Sequence, residues 1–73
     1  MDIYLIEHTE LGYDYYMAHV IVAYNYTEVK ILAKNICGDE EEAVWDKAQI
    51  TNVGKYTGNQ VEPFILLSDF RAG

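Results

Sequence analysis

A chain of 73 residues is long enough for one small domain and too short for a second hydrophobic core. Hydrophobic residues make up 51% of it and aromatic residues 14%, a composition that excludes an intrinsically disordered chain. Twelve Asp and Glu against five Lys and Arg leave a net charge of −7, which repels phosphate and argues against direct binding of nucleic acid. Because domains of this size are marginally stable, a homodimer would be a natural supplement.

Cysteine content and hydropathy indicate a cytoplasmic protein. Cys37 is the single cysteine, and a lone thiol cannot form the intrachain disulfides that small secreted domains usually need. The first four residues lack the basic region of a signal peptide, and no apolar run approaches the ~18 residues of a transmembrane helix. We therefore expect a cytoplasmic chain with no membrane partner.

The first two predicted elements are strands that form an antiparallel hairpin. Residues 3–8 are rich in β-branched and aromatic residues, and both faces of residues 3–6 are apolar, which favours an internal strand. Residues 9–14 contain Gly12 and turn-forming residues, so they predict a loop. Residues 15–24 predict a second strand, and the short loop makes the two strands antiparallel neighbours.

The next element, residues 26–37, is the best-defined helix of the sequence. Asn25 is a good N-cap, and Glu28 stands where a capping-box acid returns the hydrogen bond. Apolar residues then recur with the spacing of one helix face: Val29, Leu32, Ala33 and Ile36. Lys34 suits the negative end of the helix dipole, and Gly38 is a natural stop just beyond the helix.

Two further strands complete the chain. Residues 39–47 hold an acidic run and Trp45. They are compatible with a short second helix, but they favour a loop or a single turn that Trp45 holds in place. Residues 48–56 predict a third strand, in which Ile50 and Val53 break the alternation and indicate a bulge near residues 52–54. Residues 57–60 form a turn, and residues 63–70 form the last strand, with Pro63 at its first position.

These elements predict an α+β fold: a single domain spanning residues 1–73, with an antiparallel ββαββ sheet and one helix packed on one face. A single helix covers only one side of such a sheet. The open face should then carry aromatic side chains and serve as a partner surface or homodimer contact. The candidates for that face are Tyr4, Tyr16, Tyr24, Tyr56 and either Phe64 or Phe70.

The histidine, cysteine and serine residues do not form a recognisable catalytic or metal-binding motif. His8 and His19 lack the spacing of a metal site and are expected within the sheet. Cys37 and Ser68 are the candidate nucleophiles, and neither has a base beside it in the sequence. The end of the helix should raise the pKa of the Cys37 thiol rather than activate it. We expect no enzyme activity, no metal and no cofactor.

The acidic residues are the remaining candidates for function. If the acids of the first loop and of the acidic run converge, they present a field that resembles an array of phosphates, with exposed tyrosines as apolar anchors. The alternative interpretation is that the run is a solvated loop. The candidate partner-binding residues are Glu10, Tyr13, Asp14, Tyr15, Asp39, Glu40, Glu41 and Glu42.

Several short motifs distributed over the chain resemble small proteins encoded by bacteriophages and prophages. They are Ile3-Tyr4-Leu5-Ile6, Gly12-Tyr13-Asp14 with Tyr16, the strand into Val22-Ala23, the helix from Glu28, Val53 to Gly58, and the ending Ser68 to Gly73. That group commonly has Glu-Ala-Arg where this chain has Glu28-Val29-Lys30, and the acidic insert before Trp45 is a departure from it. The resemblance implies a phage accessory protein, a class that includes anti-CRISPR inhibitors of bacterial defence.

The leading hypothesis is a phage-encoded, non-enzymatic inhibitor in the cytoplasm of the host cell. It would bind a host defence complex with a basic surface, foremost a CRISPR-Cas effector, and block nucleic-acid access or assembly. Two alternatives stay open. One is an oligomeric sponge for a nucleotide second messenger, which needs a basic pocket built from five cations. The other is a small regulatory or structural homodimer that uses the tyrosine-bearing face.

Overall fold

The computed structural model describes residues 1–72, which form four strands and two helices. The strands are β1 (Asp2–Glu7), β2 (Tyr15–Ala23), β3 (Gln49–Lys55) and β4 (Phe64–Arg71), and the helices are α1 (Tyr26–Asn35) and α2 (Glu42–Asp46). The predicted α+β class is confirmed. The element order is β-β-α-α-β-β rather than ββαββ, because residues 42–46 of the predicted loop or turn form a short helix.

The strands form one antiparallel sheet in the order β3-β1-β2-β4. β1 and β2 pair from Asp2 opposite Ala23 to Glu7 opposite Ala18, so the predicted hairpin and the internal position of β1 are confirmed. β3 and β4 lie on opposite edges, and residues 56–63 cross one end of the sheet to join them. Hydrogen bonds hold this crossing in place: the Tyr56 amide donates to the Met1 carbonyl, and the Tyr24 hydroxyl donates to the Val61 carbonyl.

A bulge interrupts β3 where the sequence predicts one. Ile3 pairs with Gly54 and Tyr4 pairs with Asn52, which leaves Val53 as the additional residue. Gly54 has a φ of +148°, a backbone conformation that residues with a Cβ rarely adopt. The bulge explains why the apolar residues of this strand fall out of alternation.

α1 begins as its capping residues predict. The Glu28 amide donates to the Asn25 side chain at 2.9 Å, while the Glu28 carboxylate accepts from the Tyr24 amide, one residue before the N-cap. The helix ends at Asn35 rather than at residue 37. Gly38 therefore lies two residues beyond the C-cap, Ile36, and it does not have the positive φ of a glycine that ends a helix. Neither helix in the described part of the chain has the length and apolar character needed to cross a membrane.

Both helices pack on the same face of the sheet and bury the core there. Val29 and Ala33 of α1 and Trp45 of α2 have no exposed surface, and they contact alternate residues of the central strands. The strand residues of this core are Tyr4, Ile6, Ile21 and Ala23, with Tyr16, Ile50 and Ile65 packed against it.

The uncovered face is mainly aliphatic, and the predicted aromatic residues divide between the two faces: Phe64 lies on the uncovered face with Tyr56 packed against it, whereas Tyr4 and Tyr16 do not lie there. Tyr4 is 5% exposed, and Tyr16 packs with it on the helix-covered side. Strand alternation and pairing register instead direct another set of side chains to the open face, namely Ile3, Leu5, Val20, Val22, Phe64 and Leu67. Since both faces of β1 are apolar in sequence, alternation alone could not decide which face α1 covers.

Candidate functional site

Two connections meet at one end of the sheet and bring the acidic segments together. The loop between β1 and β2 contains Glu10 and Asp14, and the segment between α1 and α2 contains the acidic run. The Asp39 amide donates to the Asp14 carbonyl at 2.7 Å, which joins the two segments directly. Asp14 has a φ of 58°, a left-handed conformation that Asp tolerates better than most residues.

The exposed carboxylates of these segments define a surface that we call the acidic end: Glu10, Asp14, Asp39, Glu41 and Glu42. No Lys or Arg occurs between residues 8 and 29 or between residues 35 and 46. Two lysines of α1 are engaged elsewhere, because Lys34 pairs with the Asp46 carboxylate and Lys30 donates to the Asp46 carbonyl. The acidic end therefore keeps a strong negative field.

Glu40 is the exception in the acidic run, since its side chain lies inside the protein. It is 3% exposed, and its carboxylate accepts three hydrogen bonds from three different segments. Oε1 accepts from the Tyr16 amide at 3.0 Å and the Gly38 amide at 2.9 Å, and Oε2 accepts from Trp45 Nε1 at 3.1 Å. Glu40 thus connects β2, the segment before α2 and α2 itself, and it is not part of the exposed acidic end.

His8 fastens the first loop to this buried network. Its Nδ1 accepts from the Glu10 amide at 3.1 Å, and its Nε2 lies 2.6 Å from the Tyr16 carbonyl. Because an amide can only donate, Nδ1 carries the lone pair and Nε2 donates to the carbonyl. The ring also meets the Trp45 indole edge-to-face, with 4.8 Å between centroids. The His8 ring therefore holds the loop through both of its nitrogens, with Nδ1 bound to the Glu10 amide and Nε2 bound to the Tyr16 carbonyl.

Gly38 is needed for a close approach of two backbones rather than to stop a helix. A Cβ at this position would overlap the Asp14 carbonyl oxygen and would lie 3.0 Å from the Phe70 ring. The absence of a side chain lets the run pass close enough to the loop for the Asp39–Asp14 hydrogen bond to form. This glycine therefore sets the geometry of the acidic end.

The acidic end also presents large apolar side chains to solvent. Leu11 is 81% exposed and Tyr13 is 78% exposed, both in the loop between β1 and β2. Tyr15, the other tyrosine predicted for this surface, is half-buried, and its ring covers Gly12. Sequence reasoning missed Leu11, although a leucine inside a polar turn is the kind of signal that could have singled it out.

A cleft of about 480 Å³ adjoins the acidic end. It is lined by Glu7, His8, Thr9, Glu10, Val44, Lys47 and Gln49. Among these residues Lys47 is positively charged, whereas Glu7 and Glu10 are carboxylates. Within residues 1–72, no three His, Cys, Asp or Glu side chains are grouped in a way that could hold a metal ion.

His19 and Ser68 form a contact that sequence reasoning missed. His19 Nδ1 lies 2.7 Å from Ser68 Oγ, because β2 and β4 place the two residues directly opposite one another. His19 is 1% exposed, and its Nε2 has no hydrogen-bond partner in the described chain. A hydroxyl beside an imidazole is half of a nucleophile–base arrangement, but here the second ring nitrogen lacks the group that would orient it.

The Cys37 thiol is half-buried just beyond α1 and donates weakly to the Lys34 carbonyl. Burial raises its pKa first, and the charges of Glu40 and Glu42 raise it further. The predicted direction is therefore confirmed, whereas the main cause is burial rather than the helix dipole. A raised thiol pKa means little thiolate at neutral pH and a poor nucleophile.

We expect the stability of the protein to fall as the pH is lowered from 7 to 5. Burial holds the pKa of His19 below its ordinary value; the Glu40 charge opposes this shift, and His8 adds to it. The unfolded chain takes up the proton near pH ~6.5 while the folded chain resists it, so stability is fully present above that pH and is lost below it. Urea titrations at both pH values measure the difference.

The matched test of this pH dependence is His19→Gln, which cannot titrate. We expect the loss of stability between pH 7 and pH 5 to be smaller in His19→Gln than in the parent, even though the variant is less stable at pH 7. An equal loss in both proteins would show that other groups cause the acid sensitivity.

Comparison with known proteins does not place the chain in a family. No protein-family model matches it, no curated protein matches it, and no solved structure matches it. Its function is therefore argued from the geometry of its own residues.

Proposed function

We propose that this protein is a non-enzymatic binding module that docks its acidic end onto a basic surface of a protein partner. The observation that supports this most is the convergence of two connections at Gly38, which gathers exposed carboxylates around Leu11 and Tyr13. Acidic side chains steer association with a basic surface, and large exposed apolar side chains supply the contacts that bury area once the partners meet.

The partner that fits this surface is a protein that itself binds nucleic acid. Such a protein carries Lys and Arg at the spacing of phosphates, and a compact array of carboxylates competes for the same positions. A protein bound to those positions excludes the nucleic acid, because its carboxylates repel phosphate and its volume blocks access. The inhibitor would therefore act stoichiometrically and would require no chemical step.

The resemblance to small phage proteins directs this proposal to a host defence complex in the cytoplasm, foremost a CRISPR-Cas effector. Defence effectors hold guide and target nucleic acid in positively charged channels. A phage gains by blocking such a channel with a protein that folds without a cofactor.

The experiment measures protection of a phage that a CRISPR-Cas system targets, in bacteria that express this protein, together with binding to the purified effector at several salt concentrations. We expect restored plaque formation and a complex that weakens as salt rises. Glu41→Gln with Glu42→Gln should weaken binding roughly tenfold or more. The matched control compares single substitutions: Glu62→Gln removes the same charge as Glu41→Gln, but from an exposed residue in the connection between β3 and β4, outside the acidic end.

A second pair of variants tests the contribution of the exposed apolar side chains to binding. Tyr13→Ala should weaken the complex, whereas Val61→Ala, at a residue 74% exposed in the connection between β3 and β4, should leave it unchanged. Equal effects of test and control variants would refute the assignment of the contact surface. Failure to bind or protect against any tested effector would refute the defence role.

The absence of catalysis is tested at Ser68. Because His19 Nε2 has no partner that would orient the imidazole, we expect Ser68 not to react with a fluorophosphonate probe at neutral pH. Intact-mass spectrometry detects the adduct, and Ser68→Ala is the control. A stoichiometric adduct on the parent protein that disappears in Ser68→Ala would contradict the non-enzymatic assignment.

A further inference from the structure

The two edges of the sheet differ in how their backbone groups are occupied. β3 and β4 are the edge strands, and each has one neighbour in the sheet, β1 and β2 respectively. On β3 the bulge at Val53 distorts the strand, and a bulge discourages an edge from pairing with another chain. The Gly54 amide of β3 also has an acceptor already, the Asn52 side chain at 3.0 Å. The β3 edge is therefore poorly suited to receive a further strand.

β4 presents a regular edge over its last five residues. Its own bulge lies at Leu66, which has no residue opposite it in β2. Residues 67–71 follow without another additional residue in β4. Alternate residues of an antiparallel edge strand direct both their N–H and C=O groups away from the neighbouring strand. In the part of the chain that the structure describes, no strand lies beside this outer edge.

The surroundings of this edge differ between the two sides of the sheet. On the open side Leu67 is 67% exposed, and with Asp69 it borders a shallow depression of about 210 Å³. The Asp69 charge is offset by the Arg71 guanidinium, 3.9 Å away. On the helix-covered side Phe70 is 45% exposed, and its ring lies next to Gly38, immediately before the acidic run. A strand added to β4 therefore meets an apolar side chain on one side and the acidic end on the other.

We propose that β4 receives an extended segment of a protein partner as a fifth strand, and that apolar residues alternate with Lys or Arg in this segment. The outward N–H and C=O groups of residues 67–71 supply the hydrogen bonds. Side chains of a strand alternate between its two sides, so the apolar ones lie beside Leu67 and the cations lie towards the acidic end. A second copy of this chain does not fit, because each copy has a net charge of −7 and repels the other.

This strand site deepens the proposed function and rests on it in one respect, since it takes the partner to be a basic protein. The acidic end attracts such a partner, whereas strand pairing fixes the register of the bound segment through its main chain. Five residues at ~3.3 Å span about 17 Å, so the contact is short. We expect an isolated peptide to bind with a dissociation constant of about 10 μM to 1 mM.

The probe is an acetylated and amidated hexapeptide of alternating Val and Lys, titrated into the isotope-labelled full chain and followed by NMR. We expect chemical-shift changes centred on the amides of residues 67–71. Two further peptides are N-methylated at the three Val or at the three Lys, which removes alternate donors and keeps every side chain and charge. Because alternate N–H groups of a strand point to the same side, one methylated peptide should bind about tenfold more weakly than the other.

A pair of variants locates the contact on β4. Leu67→Lys places a cation on the edge and should weaken binding of the unmethylated peptide at least about tenfold, because charged side chains, Lys above all, block edge pairing. The matched control is Thr51→Lys, which adds the same charge at the opposite edge. Thr51 and Leu67 stand at the two ends of one row across the open side, with Leu5 and Val20 between them. We expect Thr51→Lys to leave binding nearly unchanged, and circular dichroism verifies that both variants fold.

Four outcomes would overturn the strand site: no binding at millimolar peptide, equal binding of the two methylated peptides, shifts confined to the acidic end or to β3, or equal weakening by the two lysine variants. Changes at residues 67–71 that follow protein concentration without peptide would assign the edge to a second copy instead. None of these results requires a defence effector, so failure of the proposed function is distinguishable. Glu41→Gln with Glu42→Gln should leave the difference between the methylated peptides intact.

Discussion

Replacing Glu40 by Ala should lower the free energy of unfolding by about 3–5 kcal/mol, which is most of the stability that a domain of this size has. The carboxylate is buried and accepts from the Tyr16 amide, the Gly38 amide and Trp45 Nε1. Removing it leaves three inward-facing donors without their acceptor, and each such donor costs about 1–3 kcal/mol before relaxation. Urea denaturation followed by Trp45 fluorescence measures the loss.

Glu41→Ala is the control for Glu40→Ala, because it removes the same charge from the next residue of the run, whose side chain is exposed. We expect a change within about 0.5 kcal/mol for this surface substitution. If the two variants differed by less than about 1 kcal/mol, the buried carboxylate would not hold the three segments together.

Replacing Gly38 by Ala should cost about 3 kcal/mol, at the upper end of the usual range for overpacking. The new Cβ would overlap the Asp14 carbonyl oxygen, which belongs to the backbone and cannot rotate away as a side chain does. We expect the run to be pushed from the loop, with loss of the Asp39–Asp14 hydrogen bond. Urea denaturation and amide hydrogen exchange at Asp39 report the two effects.

Gly58→Ala provides the comparison for Gly38→Ala. A Cβ at Gly58 would meet the hydroxyl end of the Tyr56 ring, a side chain that can rotate away at the expense of its packing on Phe64 and its hydrogen bond from the Gln60 amide. We therefore expect a clearly smaller loss of stability. If the two variants lost the same stability, the loss in Gly38→Ala would come from replacing a flexible glycine and not from the close approach of Gly38 to Asp14.

These variants separate two roles within one acidic run. Glu40 is structural, and its neighbours on either side remain exposed candidates for contact with a partner. A substitution of the whole run would therefore confuse unfolding with loss of binding. Tests of the acidic end should keep Glu40 and neutralise only exposed carboxylates, as Glu41→Gln with Glu42→Gln does.

Several elements were predictable from the sequence because they depend on local chemistry. The N-cap of α1 requires only Asn25 and an amide three residues later, and both lie in the predicted segment. The hairpin of β1 and β2 follows from a short connection, and the bulge at Val53 follows from broken alternation. In each case the residues that determine the structure are neighbours in the chain.

Other features required contacts between distant residues. Nothing in the acidic run itself distinguishes Glu40 from Glu41. Two of the donors that hold the Glu40 carboxylate, the Gly38 amide and the Trp45 indole, are near in sequence, but the Tyr16 amide is 24 positions away and reaches it only through the fold. The His19–Ser68 contact spans 49 positions, so it depends on β2 pairing with β4. Tyr4 and Tyr16 were predicted for the wrong face because the side of the sheet that the helices cover is decided by packing.

The sequence by itself determined a small acidic α+β domain, because composition, alternation and capping act over a few residues. Only the tertiary structure decided which acidic side chains are buried and which are exposed, because burial depends on which segments meet. Gly38 lets the run approach the first loop, Glu40 turns inward to satisfy buried donors, and the remaining carboxylates stay in solvent around Leu11 and Tyr13.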